Sequence, residues 1–128
     1  NAACNESPIS VPGAAKAWVC FNGTGSVDEL ASFNVGSVTD SAAGIYALTF
    51  TNNLANANYC VLGAIANTND NFSTRVAGES RGPGGMRVHG TVAPTTSSVT
   101  VEVMFGASAT NNGDYYDFSR TYIAIFGD

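Results

Sequence analysis

The stretch KAWVCFNGTG, residues 16–25, decides how the rest of the chain is read. Ala17, Val19 and Phe21 fall on one side of an extended backbone, and Trp18 and Cys20 on the other. That period of two is what a half-buried strand requires. Gly23 and Gly25 close the run in a turn. No segment elsewhere carries a convincing amphipathic helix; SVDELASF (26–33) offers one helical turn at most. The chain is therefore expected to be all-β.

Working outward, ASFNVGSVTD (31–40) reads as a second strand, followed by a turn through SAAG. IYALTFTN (45–52) is the clearest strand, with Tyr46, Leu48 and Phe50 inward against Ala47, Thr49 and Thr51. NYCVLGAIA (58–66) is apolar on both faces, so both faces are expected to be covered by protein. STRVAGES (73–80) and MRVHGTVA (86–93) flank the turn-rich RGPGG. SVTVEVMFGA (98–107) alternates Val99, Val101, Val103 and Phe105 against Thr100, Glu102 and Met104, and TYIAIFGD (121–128) closes the chain. About eight short strands separated by Gly, Asn and Pro turns predict an antiparallel β-sandwich or jelly-roll-like domain. It spans residues 14–128. Residues 1–13, with two prolines and no clean period, read as a tail or linker from a preceding segment.

The 128 residues suffice for one domain burying roughly two-thirds of its unfolded surface. Apolar residues make up 45% and charged residues 12%, about half the usual charged share. Ten acidic residues against five basic ones leave a net charge of −5. Nucleic-acid binding needs a basic face to neutralise phosphates, and five scattered cations cannot supply one. Anionic membrane surfaces are disfavoured for the same reason, and no apolar run approaches the ~20 residues of a spanning helix. Cys4, Cys20 and Cys60 make an odd count, which argues against a closed disulfide framework. Cys20 and Cys60 read as buried free thiols, with a Cys20–Cys60 bridge as the alternative and Cys4 available to link chains. Strands such as LGAIA and YIAIFG would leave apolar residues facing outward in a lone sandwich. A second subunit is expected to cover them, and a flat small-residue face suits packing around a symmetry axis.

Residues 15–63, with AKAWVCFNGTG, SFNVGSVTD, the strand ending in FT and the ANY segment, resemble the recurrent distal module of bacteriophage tail fibres and tail-tip proteins. The terminal YIAIFGD is similar to the ending of the same modules, while residues 67–118 match only in general character. Cys20 stands where the pattern usually has a polar residue, and VDEL is more acidic than usual. The resemblance implies a homotrimer at the end of a virion fibre, seated among other virion proteins, with loops free to meet the host surface.

Such a tip needs loops on a rigid scaffold. Three stand out: NTNDNFS (67–73), ESRGPGGM (79–86) and SATNNGDYYDFSR (108–120). In the last, Tyr115 and Tyr116 offer aromatic faces for the C–H side of a pyranose. Asn111, Asn112, Asp114 and Asp117 offer groups that accept from and donate to its hydroxyls. The expected ligand is a host cell-surface glycan or outer-membrane component. Asn67, Asn69, Asp70 and Asn71 could give oxygens to calcium, but the spacing lacks the ordered ligand loop and turn chemistry explains it better. His89, the only histidine, shares a face with Arg87 and Thr91 and is expected to be exposed or at a subunit contact. Candidate carboxylates (Asp28, Glu29, Asp70, Glu79, Glu102, Asp114, Asp117) show no pairing in sequence, and no serine sits in a nucleophile elbow. The expectation is a non-enzymatic binding module without a metal or cofactor. A capsid-decorating or head-fibre protein and a secreted lectin-like adhesin are the alternatives.

Overall fold

The structure, a computed structural model, describes residues 13–66, 85–104 and 115–127. Among them are eight strands and no helix: β1 (Ala17–Asn22), β2 (Asp28–Phe33), β3 (Val35–Ala42), β4 (Ile45–Phe50), β5 (Cys60–Ala66), β6 (Met86–Val88), β7 (Ser98–Val103) and β8 (Arg120–Phe126). They form two antiparallel four-stranded sheets, ordered β2-β1-β8-β5 and β3-β4-β7-β6. The chain stays within a sheet at β1–β2, β3–β4 and β6–β7 and crosses after β2, β4, β5 and β7.

The alternation in the sequence explains the packing. Ala17, Val19, Phe21, Ile123 and Ile125 project inward from one sheet, and Tyr46, Leu48, Phe50, Val99, Val101 and Val103 from the other. Their sum is a single core between two layers. The Phe21 and Tyr46 rings meet edge to face across it, centroids 4.8 Å apart. Thr121 is fully buried there, and its hydroxyl finds no hydrogen-bond partner among the described residues.

The segment 31–40, expected as one strand, is split. Asn34 adopts φ 54°, and the chain passes from β2 in one sheet to β3 in the other at that residue. Asparagine tolerates this left-handed conformation, and its side chain secures the corner. Nδ2 donates to the carbonyls of Lys16 (3.0 Å) and Asn52 (3.1 Å), and Oδ1 accepts from the Asn52 N–H (2.7 Å). The stretch 26–33, expected to form a helical turn at most, supplies the edge strand β2 instead. Strand pairing with β1 provides what periodicity could not, because Asp28–Ala31 are all exposed.

In the single chain β5 is covered on one side only. The strand registers place Phe33, Trp18, Ala124 and Leu62 in one outward row, and Ala31, Cys20, Tyr122 and Ala64 in the next. Cys60, expected to be buried, is exposed, and Cys20 is half-buried; both lie on this outer face as free thiols. They sit two strands and four residues apart, roughly 16 Å between Cα atoms from strand spacing and rise. A disulfide needs less than about 7 Å, so the Cys20–Cys60 bridge is excluded.

The sandwich has two distinct ends. At one lie Lys16, whose N–H donates to Ile125 O (2.7 Å), the Asn34 corner, and Gly127 against Tyr59. The other gathers the turn after β1, the turn between β3 and β4, the end of β5 at Ala66 opposite Arg120, and the start of β6 at Met86 opposite the end of β7 at Val103.

Candidate functional site

The second end is held together by backbone pairing along its rim. The Val103 N–H donates to Gly44 O (2.7 Å), Met104 N–H to Gly85 O (3.2 Å) and Tyr116 N–H to Val103 O (3.3 Å), while Gly23 N–H donates to Phe118 O (2.9 Å). Residues 115–119 thus run from the β3-β4-β7-β6 sheet to the start of β8, carrying three of the residues expected to bind ligand. Asn111, Asn112 and Asp114 lie outside the described residues, as do the possible calcium ligands Asn67, Asn69, Asp70 and Asn71 and the carboxylates Asp70 and Glu79.

Tyr115 and Tyr116 are both exposed on the rim, at 42% and 39%. They do different things. Tyr115 pairs with Met104, and its hydroxyl accepts from Arg87 Nη2 (3.1 Å), which fixes the ring over the outer face of its sheet. The Tyr116 ring packs edge-on against Phe118, centroids 5.2 Å apart. The two rings have different neighbours, Arg87 for Tyr115 and Phe118 for Tyr116, so they present two aromatic surfaces rather than one.

Asp117 faces inward. Its Oδ1 accepts from the Gly44 N–H (2.7 Å) and from the Tyr46 hydroxyl (2.7 Å). Burial, then the bond to Asp117 and its negative charge, drive the Tyr46 hydroxyl far above its ordinary value, so the phenol stays protonated as a donor. This carboxylate ties the rim to the core.

Sequence reasoning missed a second cluster beside Tyr115. Glu102, on the outward side of β7, is nonetheless buried, its side chain only 5% exposed. The guanidinium of Arg87 caps it through Nε, and His89 Nε2 lies 3.4 Å from its other oxygen. A buried carboxylate needs such partners. The Arg87 pKa is raised by its bonds to Glu102 and Tyr115. His89 is half-buried, with Nδ1 accepting from the N–H groups of Thr91 and Val92 (both 3.2 Å), which puts the ring proton on Nε2, toward Glu102. The signal available was Arg87 and His89 sharing a strand face, as expected; their opposition to Glu102 depends on the β6–β7 register.

Among the described residues no group of three or more His, Cys, Asp or Glu side chains is placed to hold a metal ion. What this end offers is two fixed aromatic surfaces and one exposed, doubly anchored guanidinium. Comparison with family models, curated proteins and solved structures gives no match.

Proposed function

We propose that this chain is a virion adhesion module of the tail-fibre or tail-tip kind, which binds a bacterial surface receptor, a glycan foremost, through one end of a β-sandwich. The observation that carries the proposal is the segregation of the two ends. Residues 67–84 and 105–114, which include three of the six binding candidates, are flanked in sequence by Ala66, Gly85, Met104 and Tyr115, all at the second end. Tyr115 and Tyr116 stand on that same rim, and Lys16 and Gly127 belong to the other end. Contacts between sugars and aromatic rings are weak singly, so the module would act as a homotrimer, several copies per particle multiplying the affinity. The sequence resemblance supports this reading, including its virion location.

The test is competition: purified protein added before phage should block adsorption to host cells. Tyr115→Ala and Tyr116→Ala should each lose at least about tenfold in blocking potency with unchanged circular dichroism, the size expected for losing one stacking contact. Unchanged potency in both variants would discard the rim site. Binding to capsid lattices with no effect on adsorption would favour the capsid-decorating reading. The secreted-adhesin reading loses its marker, because the Cys20–Cys60 bridge that would have favoured it is excluded by the distance between the two residues.

A further inference from the structure

The outer face of the β2-β1-β8-β5 sheet has a relief of its own. Trp18, Leu62 and Tyr122 stand up from it, 39%, 59% and 44% exposed. Between them lies a floor of Cys20, Ala64 and Ala124, and together they shape an open groove of about 440 Å³. Along and across β1, β8 and β5 large and small residues alternate: Trp18 is opposite Ala124, Tyr122 is opposite Cys20 and Ala64, and Leu62 is opposite Ala124. Strand β2 pairs like with like, Phe33 opposite Trp18 and Ala31 opposite Cys20. No ionised side chain interrupts these rows.

We infer that this face is buried against the same face of further copies of this chain, the projecting residues of one copy entering the small-residue floor of the next. Three observations select a copy of the chain over other occupants. The alternating relief complements itself, since each protrusion has a floor of matching character beside it. The chain carries a net charge of −5, which opposes association of copies in general and so confines a contact between them to an uncharged surface such as this one. The area is of the right order: the whole outer face of four strands of six or seven residues measures roughly 450 Å², with the apolar rows across its middle. Two such faces bring together roughly 900 Å², above most chance packing contacts and just under the lower bound of about 1,000 Å² for a specific interface, and the raised side chains add to it. This deepens the assembly part of the proposed function and rests on that reading only for the number of copies.

Trp18 is the only tryptophan of the chain and stands on the face, so its emission reports cover directly. Sedimentation velocity and Trp18 emission would be followed on the full chain across a dilution series, for wild type, Leu62→Glu and Tyr122→Lys. Both substituted side chains point outward, and circular dichroism checks that each variant folds. The expected result is an oligomeric wild type whose Trp18 emission shifts red on dilution, with association weakened at least about 100-fold in either variant. A wild type that stays monomeric with solvent-exposed Trp18 emission overturns the inference. So does an oligomer unaffected by both substitutions, which must use another surface. A monomer with shielded Trp18 emission that turns red when residues 1–12 are removed overturns it in favour of cover by the chain's own N-terminal segment. Failure of adsorption blocking with association intact would remove the adhesion reading and leave this interface standing.

Discussion

Gly44 shows how tightly the rim is built. It adopts φ +66°, and a Cβ there would come 2.4 Å from Val103 O and 2.7 Å from Tyr116 N, both backbone atoms that cannot swing aside. Gly44→Ala combines a left-handed penalty with this clash and should cost about 2–4 kcal/mol, read as a lower urea midpoint. Beside it, Asp117→Asn keeps an oxygen to accept from Gly44 and Tyr46 and should cost only about 1 kcal/mol, whereas Asp117→Ala strands both donors and should cost about 2–3 kcal/mol. Equal losses in the two variants would mean that the carboxylate does not hold the rim this way. The raised pKa of Tyr46 has a pH consequence. Below about pH 10 the phenol is protonated in both folded and unfolded chains, so its contribution to stability is fully present and does not vary with pH. Above that, the unfolded chain releases the proton while the folded chain keeps it, so stability falls by about 1.4 kcal/mol per pH unit for this residue. Tyr59, also raised by burial, adds to the same limb. Urea unfolding between pH 8 and 11 should show this decline, and Tyr46→Phe should flatten it while lowering stability at pH 8.

At the scale of elements, the corner between β2 and β3 separates two roles that one residue combines. Asn34→Gly keeps the positive φ but loses the four hydrogen bonds of the side chain; Asn34→Ala loses both the bonds and the tolerance of that φ. The expected costs are about 2 kcal/mol for Gly and about 3 kcal/mol for Ala, and equal urea midpoints for the two would mean that the conformation contributes nothing. This corner also marks where the sequence was opaque. Strands β1, β4 and β7 were legible because each buries one face, so Tyr46, Leu48 and Phe50 or Val99, Val101 and Val103 fall into period two. Residues 31–40 read as extended throughout, and nothing local signals a change of sheet at Asn34, whose partners lie 18 residues away on either side. Asp28–Ala31 have no inward face to set a period. Tyr115 and Tyr116 could be picked out as exposed aromatics in a polar stretch. The inward turn of Asp117 could not, because its partner Tyr46 is 71 positions earlier.

At the scale of the whole molecule, the two sheets divide the chemistry of the surface. The outer side of β3-β4-β7-β6 is polar, with Ser37 and Thr49 hydrogen-bonded across strands (2.7 Å) and Arg87, His89 and Glu102 clustered near the rim. That of β2-β1-β8-β5 is apolar through its middle rows. A sandwich so divided can turn the apolar side to its copies and the polar side to water while both rims stay open, so assembly and ligand binding need not compete for surface. Assembly then contributes to stability by mass action, since only folded chains associate. The melting temperature of the wild type should rise by several degrees between low-micromolar and hundred-micromolar chain. In Leu62→Glu, which is outward-facing and touches no core residue's place, the melting temperature should become independent of concentration and match that of dilute wild type within a degree or two. A wild-type melting temperature flat across that range would mean that the chain reaches its full stability alone, with the apolar face solvated.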